Sequence, residues 1–250
     1  MTISIIVRKA GFYFTTLHIR ILRLFRHIFF LIKLTFRPGE ISVHYSYRNR
    51  WLTWLLELPF YVIDILAIPE LMEIFLQFLH PKNRLLTERE KKLINEVYGG
   101  CLKLSVISFD RYASIMRDRA MAFVGVNTIF FNRELSDALL LHEVCHCLQY
   151  QKFGSIYIIR ALMAQNSKEG YSYGGSDFLH EWNITSDLRK LNYEQMAEII
   201  GHFHLISLRQ INDEDDVRLR KLEIYRNAAG NIINAINYQG SISSFFRLRI

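Results

Sequence analysis

The chain has 250 residues, of which 50% are apolar and 22% are charged, and this composition argues against an intrinsically disordered protein. Its length suffices for one large domain or two small ones with a buried core. The net charge of +7 is uneven, because residues 1–50 carry +8 and the other residues together carry −1. We therefore expect a near-neutral body with a basic N-terminal region, whose partner would be an anionic membrane surface or an acidic protein. Nucleic acid is not expected, since the charge is local and no binding motif accompanies it.

The cysteines and the N-terminal region bear on the compartment. Three cysteines, Cys101, Cys145 and Cys147, are too few for a disulfide framework. The N-terminal apolar runs are interrupted by arginines and lack a convincing small-residue cleavage site, so no signal peptide is predicted. Charged residues also interrupt every run that approaches the length of a transmembrane helix, so none is predicted.

Residues 18–34 predict an amphipathic helix with one apolar half and one basic half. The apolar half comprises Ile21, Leu22, Leu24, Phe25, Ile28, Phe29, Leu31 and Ile32, and the basic half comprises Arg20, Arg23, Arg26, His27 and Lys33. Two interpretations remain open. The helix packs on the body with its basic side in water, or it lies in an anionic membrane interface or against an acidic partner.

All four prolines fall between residues 38 and 81, which predicts several short helices with kinks in this stretch. Residues 51–80 are apolar nearly all round, so we expect them to be buried in protein or partly in lipid. Residues 81–83 predict a break. The chain is therefore divided into a basic, helical N-terminal region, 1–83, and a domain formed by residues 84–250.

The second part has the patterning of a soluble domain. Thr87 and Glu90 form a capping-box pattern that opens a helix to about residue 97, and Gly99 and Gly100 end it. The later predictions are a strand at 121–131, a helix at 137–152, a loop rich in glycine, serine and tyrosine at 168–176, a helix at 193–209, an acidic turn at 213–216 and a last helix within 215–237.

Residues 142–146 have the sequence His-Glu-Val-Cys-His, which is an H-E-x-x-H motif. Positions i and i+4 share one face of a helix, so His142 and His146 can reach one zinc ion. Glu143 lies beside them, where it can contact a zinc-bound water. The alternative is a buried helix whose histidines are simply hydrogen-bonded. Cys145 is expected to pack rather than bind metal.

A zinc site also needs a third protein ligand. Gln149 and Lys152 stand where the metzincin spacing requires glycine and histidine, so that class is excluded. Glu194, Glu198 and His202 share one face of the helix at 193–209. We favour Glu194 as the ligand and Glu198 as a residue that orients a zinc histidine. Alternatives are Glu198, His180 or His202 as the ligand, or an ordinary amphipathic helix with surface glutamates.

The combination of H-E-x-x-H with E-x-x-A-E resembles the gluzincin metallopeptidases. It is more closely similar to a bacterial zincin-like domain found in core proteins of extracellular contractile injection systems and in stand-alone proteins. The similarity covers about residues 84–206 and rests on these segments: Leu-Thr-x-x-Glu at 86–90, Val-Tyr-Gly at 97–99, the motif at 142–146 with Gln-Tyr-Gln at 149–151, Tyr-Ser-Tyr at 171–173 and Glu-Gln-Met-Ala-Glu at 194–198. It implies a mostly helical α+β fold with a small sheet. Because no signal peptide or transmembrane helix is predicted, we expect a location in the bacterial cytoplasm or at the membrane periphery, and export by a route without a signal peptide remains open.

The resemblance implies a zinc-dependent metallopeptidase that acts on a peptide or protein. Glu143 would be the general base toward a zinc-activated water. Tyr171, Tyr173, His180 and His202 are unranked candidates for the donor that stabilises the oxyanion. Two other functions remain open. One is a non-catalytic zinc-binding interaction or cargo module of a secretion or injection system, and the other is a membrane-acting effector whose working part is residues 1–80.

Overall fold

The computed structural model describes residues 2–36, 50–79, 83–111, 122–132, 134–208 and 216–239. The helices are α1 (Thr2–Phe36), α2 (Arg50–Ile65), α3 (Ile68–Leu79), α4 (Glu88–Tyr98), α5 (Asp137–Phe153), α6 (Ile156–Gln165), α7 (Gly175–Thr185), α8 (Tyr193–Ser207) and α9 (Asp216–Gln239). The strands are β1 (Arg84–Leu85), β2 (Ser108–Asp110), β3 (Ala122–Val124) and β4 (Thr128–Phe131). The described chain is mostly helical with a small mixed sheet, which agrees with the predicted α+β class.

Helix α5 is the centre of the core and packs most extensively against α8. It also contacts α6, α9 and the hairpin strands β3 and β4. The absence of a side chain at Gly201 lets α8 approach closely, because a Cβ there would lie only 3.1 Å from the carbonyl oxygen of Ala138 on α5. This packing sets the distance between the H-E-x-x-H motif on α5 and the acidic motif on α8.

Short sequence patterns predicted several helix ends correctly. The Thr87 side chain accepts a hydrogen bond from the backbone of Glu90, whose carboxylate accepts one from the backbone of Thr87, so the predicted capping box is confirmed. The helices predicted at 137–152 and 193–209 correspond to α5 and α8, and the last helix corresponds to α9. Helices α6 and α7 were not predicted. The acidic turn at 213–216 lies outside the described residues except for Asp216, which begins α9.

The prediction of one strand at 121–131 is wrong, because this segment is a hairpin. The backbone N–H of Gly125 donates to the carbonyl oxygen of Thr128, at 3.2 Å, and the chain turns between them. Strand β3 then pairs antiparallel with β4, which pairs parallel with β2. The order of the described sheet is β1-β2-β4-β3, which places β3 at its edge.

The orientation of α1 differs from the expectation that its basic side faces water. Of that side Arg20 and His27 are buried and Arg26 is exposed, whereas Phe25 on the apolar side is 64% exposed. Lys9, one of the basic residues before the predicted range, is buried as well. The physical reason is that α2 and α3 present buried carboxylates to α1. Arg20 lies 3.1 Å from Asp64, for example. The described helix is also longer than the predicted 18–34, since it begins at Thr2.

The kinked apolar stretch predicted at 51–80 consists of two helices. Helix α2 contains Pro59, and the chain passes through Ala67 with a positive φ of 55° before α3 begins. No single helix among the described residues is long and apolar enough to cross a membrane. The segments Trp51–Ile65 and Ile68–Gln77 together have that length and composition, with a bend of 59° between them. The expectation that protein covers these helices on all sides is wrong, because one side of both helices is exposed, and burial partly in lipid stays a prediction.

Polar contacts connect α1–α3 to the rest of the chain. The Lys9 ammonium donates hydrogen bonds to the hydroxyls of Ser108 and Thr128, at 3.0 and 2.6 Å, and these two residues are paired between β2 and β4. Arg20 donates to the Tyr150 hydroxyl on α5, at 3.3 Å. The division of the chain at residue 83 stays a prediction, and the two parts share buried hydrogen bonds.

Candidate metal centre

Helix α5 presents His142 and His146 on its side facing α8, as the i, i+4 spacing predicts. The helix begins at a serine, Ser136, whose side chain accepts a hydrogen bond from the backbone of Leu139. Both histidines are buried. Their rings are 5.1 Å apart at an interplanar angle of 76°, so they approach a common point from different directions.

Glu194, in the first turn of α8, completes a group of three with these histidines. Its Oε2 atom lies 3.5 Å from Nε2 of His142 and 3.3 Å from Nε2 of His146. This oxygen is buried and has no hydrogen-bond partner. Its other oxygen, Oε1, accepts a hydrogen bond from the side-chain amide of Gln165 on α6, at 2.9 Å. The carboxylate is therefore held by one oxygen and presents the other to both imidazoles.

These three residues have the spacing of a metal site. Their ligand atoms all lie within 4.8 Å of one another. Two ligands of a tetrahedral zinc ion, each bound at its usual distance, are about 3.4 Å apart, which agrees with the two distances from Glu194. A buried carboxylate oxygen without a partner is otherwise costly. This buried His-His-Glu group could therefore bind a metal ion.

The other ring nitrogen of each histidine has its own acceptor. Nδ1 of His142 lies 3.2 Å from Oε2 of Glu198, and Nδ1 of His146 donates to Oε1 of Gln149, at 2.9 Å. Gln149 is fully buried and donates in turn to the carbonyl oxygen of Tyr193, at 3.1 Å. Such acceptors fix the ring orientation and leave Nε2 available to a metal. The predicted contact of Glu198 with a candidate zinc histidine is present, whereas the contact of Gln149 was missed.

Glu198 begins a polar chain that leads away from the centre. Its second oxygen lies 3.1 Å from Nε2 of His202, whose Nδ1 lies 2.6 Å from the Tyr173 hydroxyl. That hydroxyl also contacts the hydroxyl of Tyr225 on α9, at 2.9 Å. His202 and Tyr173, two of the predicted oxyanion donors, are therefore engaged with each other. Neither lines the cavity next to Glu194.

The electrostatics of the group favour a cation. Burial by itself lowers the pKa of His142, but the adjacent carboxylates of Glu194 and Glu198 outweigh it and raise that pKa to about 10. Burial raises the pKa of Glu194, yet the two histidines outweigh this effect and hold the pKa well below its usual range. A proton on His142 and a metal ion would therefore compete for the same carboxylates.

Glu143 lies beside a cavity of about 460 Å³. The cavity is bounded by α3, the β3–β4 hairpin and α6, and His146, Glu194 and Tyr171 also line it. Oε2 of Glu143 is buried and has no hydrogen-bond partner, and burial raises the pKa of this carboxyl group. A carboxylate with an unengaged oxygen and a raised pKa has the properties of a general base or acid.

Of the four candidate oxyanion donors, Tyr171 is the one that lines the cavity. Its ring centroid lies 6.0 Å from that of His142, and burial, followed by the nearby carboxylates, raises the pKa of its hydroxyl to about 12. It therefore stays protonated and can donate. His180 is exposed on α7 and does not line the cavity. Cys145 is fully buried as a free thiol, which agrees with the predicted packing role.

Gln149, Gln165 and Tyr225 were missed as contributors to the site. Gln149 follows His146 by three residues, so helical spacing alone places it on the same face. Gln165 and Tyr225 come from α6 and α9, and no local pattern connects them with residues 142–146.

Comparisons of the chain with models of protein families, with curated proteins and with solved structures returned no match. The resemblance to zincin-like domains therefore depends on the motifs alone. The metal group depends on the geometry given above.

Proposed function

We propose that the protein is a zinc-dependent metallopeptidase with His142, His146 and Glu194 as ligands. The observation that carries the proposal is the buried Oε2 atom of Glu194, which has no hydrogen-bond partner and lies within 3.5 Å of Nε2 of both histidines. Two imidazoles and one carboxylate form the ligand set of catalytic zinc sites that keep a position for water or substrate.

Zinc bound to these ligands would polarise a water molecule and a peptide carbonyl group, and lower the pKa of the water to about 7. Glu143 would accept the proton of that water with its unengaged oxygen and later transfer it to the leaving amine. Tyr171 would donate a hydrogen bond to the developing oxyanion from the cavity wall. Glu198 and Gln149 would keep the two imidazole rings in place.

The substrate class in this proposal is an extended peptide. Among the described residues, β3 is an edge strand and forms part of the cavity wall, so the main chain of a substrate could lie along it. The remaining walls are mostly apolar, with Pro69, Ile158 and Leu162 among them. We therefore expect apolar side chains next to the scissile bond.

Metal content of the purified protein tests the ligand set. We expect about one zinc ion per chain, as in other three-ligand sites. His142→Ala and Glu194→Gln should lose it, because each removes a ligand atom. Glu198→Gln is the matched control on the same helix face and should retain the metal with reduced affinity. Retention in Glu194→Gln together with loss in Glu198→Gln would mean that Glu198 is the ligand.

Hydrolysis of unfolded casein and of a mixed fluorogenic peptide library tests the reaction. Glu143→Gln should retain zinc and lose about 10²–10⁴-fold in rate, the usual effect of removing a general base. A variant as active as wild type would contradict the mechanism. A wild-type protein that binds one zinc and cleaves neither substrate would favour the non-catalytic binding module instead.

A further inference from the structure

The acidic side chains of α2 and α3 all point into the protein. Two polar residues accompany them, so that the buried polar set on these helices comprises Thr53, Glu57, Asp64, Glu70, Glu73 and Gln77. A helix on the surface of a soluble protein has the opposite arrangement, with apolar residues inside and charges in water. The polarity of α2 and α3 is therefore inverted.

Ion pairs hold this inverted arrangement in place. Arg20 of α1 lies 3.1 Å from Asp64 and 2.5 Å from Glu70, and Lys9 lies 3.0 Å from Glu73. All these side chains are almost completely buried. Rotation of a helix to put its charges in water would break these pairs and leave buried charges without partners, which is strongly unfavourable.

The opposite side of the same helices is apolar and exposed. The described exposed side chains of α2 and α3 are all apolar, and the largest include Trp51, Leu55, Val62, Leu71, Met72 and Phe75. On α1, the exposed apolar side chains include Ile3, Val7, Phe14, Phe25 and Phe29. These residues form what we call the outer face. The three helices pack against one another, so the outer face belongs to one layer.

The extent of the outer face favours a lipid partner over a protein. Helix α1 has 35 residues, which corresponds to about 50 Å of helix. A protein interface usually has a polar rim around its apolar centre. Among the described residues, α2 and α3 contribute no charged side chain to the outer face, and the exposed charges of the layer are confined to α1, at Arg8 and Arg26. The pair α2–α3 also has the length and composition of a bent membrane segment. The hydrocarbon core of a bilayer, in contrast, is a suitable environment for an apolar surface that has neither a polar rim nor charged side chains.

We propose that the outer face of α1–α3 contacts the acyl chains of a lipid bilayer, with the metal-binding part of the chain outside the hydrocarbon. This contact differs from attraction of basic residues to anionic headgroups, because it is made by apolar side chains, and three of the basic residues of α1, Lys9, Arg20 and Arg23, are bound to carboxylates within the protein. Hydrophobic contact of this kind is insensitive to salt, whereas headgroup attraction is screened. The inference does not depend on peptidase activity.

Tryptophan fluorescence provides a direct test with the full chain. Of the three tryptophans, Trp51 is 50% exposed on the outer face, Trp54 is half-buried against His27 of α1, and Trp182 is 1% exposed in the core of the body. The protein is mixed with neutral phosphatidylcholine vesicles that carry bromine on their acyl chains, in about 1 M salt to screen charge. We expect quenching in wild type and much less quenching in Trp51→Phe. Equal quenching in both proteins, or none in wild type, would overturn the proposal.

Vesicle flotation with matched substitutions tests the same face without a probe. Phe75→Glu places a charge on the outer face, where Phe75 is 63% exposed, and should weaken partition into neutral vesicles at least about tenfold. Ile184→Glu is the control, since Ile184 is 81% exposed on α7, and should leave partition unchanged. Both substituted positions are exposed, so we expect both variants to fold.

Three other outcomes would overturn the proposal. Binding to anionic vesicles only, with release in salt, would assign the contact to basic residues and headgroups. A dimer seen by light scattering, without vesicle binding, would mean that a second copy covers the outer face. A monomer that stays in solution without vesicle binding would mean that the outer face is exposed to water.

Discussion

Replacement of Gln149 by leucine tests whether the orientation of His146 affects zinc affinity when all three metal ligands are retained. Gln149 contributes no metal-binding atom, yet its Oε1 accepts the Nδ1–H of His146 at 2.9 Å and its amide donates to the Tyr193 carbonyl oxygen at 3.1 Å. Leucine is similar in size to glutamine but has neither the carbonyl acceptor nor the amide donor. The His146 ring would therefore lose the acceptor that fixes its orientation while all three ligands remain.

The expected magnitude follows from the burial of Gln149. Its side chain is 0% exposed, so no solvent replaces the lost acceptor and the N–H of His146 is left unpaired. An unpaired buried donor costs about 1–3 kcal/mol. Loss of an orienting partner usually lowers metal affinity about 10–100-fold. We expect a zinc affinity about 30-fold below that of wild type, which corresponds to about 2 kcal/mol.

Competition with a chromophoric chelator at a fixed pH measures this change. Gln151→Leu is the matched control, two residues further along α5. The Gln151 side chain accepts from the backbone of Lys103 at 2.8 Å and donates to Asn127 at 2.9 Å, away from the metal group. It should lower the free energy of unfolding by about 1 kcal/mol and leave zinc affinity unchanged.

Two results would refute this reasoning. Zinc affinity of Gln149→Leu within twofold of wild type would mean that His146 is oriented without this hydrogen bond. Equal losses in both glutamine variants would mean that α5 loosens generally. Gln149→Glu, which keeps an acceptor and adds a charge, should bind zinc at least as tightly as wild type.

The remaining predictions concern pH, the buried ion pairs and helix packing. Zinc affinity should rise about tenfold per unit between about pH 6 and pH 8, because His142, with its pKa raised to about 10, releases a proton on binding; chelator competition at three pH values measures this. A decrease with pH would contradict it. Asp64→Asn should lower the free energy of unfolding by about 3 kcal/mol in a denaturant titration, since Arg20 loses a buried partner. Gly230→Ala should raise the Tm, because nothing lies within 4 Å of the added Cβ and alanine favours helix by about 1 kcal/mol, whereas Gly201→Ala should not. Equal gains in both alanine variants would refute the packing argument.

The three residues of the metal group could be predicted because short-range spacing within two helices places them. The spacing of His142 and His146 determines a shared helix face, and the spacing of Glu194, Glu198 and His202 predicted a helix at 193–209 with Glu194 near its start. The remaining contributors are not local. Gln165 reaches Glu194 from α6, and the close approach at Gly201 depends on the packing of two helices far apart in sequence.

The polarity of the N-terminal helices was not predicted, although its signal was present. Glu57, Asp64, Glu70 and Glu73 were interpreted as interruptions of an apolar run. Their spacing places them on one side of the helices, and the basic residues of α1 supply matching charges. Composition predicts how much apolar surface the helices have. Which way that surface faces depends on which residues form ion pairs with the charged side chains. The strand at 121–131 failed for a simpler reason, since Gly125 inside it allowed a turn.

The ion pairs of α1–α3 have a consequence for the order of assembly during synthesis. The partners of Asp64, Glu70 and Glu73 are Lys9, Arg20 and Arg23, which are all made before residue 80 emerges. The exception is Glu57, because its partner is the guanidinium group of Arg160 on α6, 2.8 Å away. Most of the charge inside the layer can therefore be neutralised before the histidine motif exists. Arrival of α6 would neutralise the remaining carboxylate, so docking of the later chain would be the step that completes the N-terminal layer.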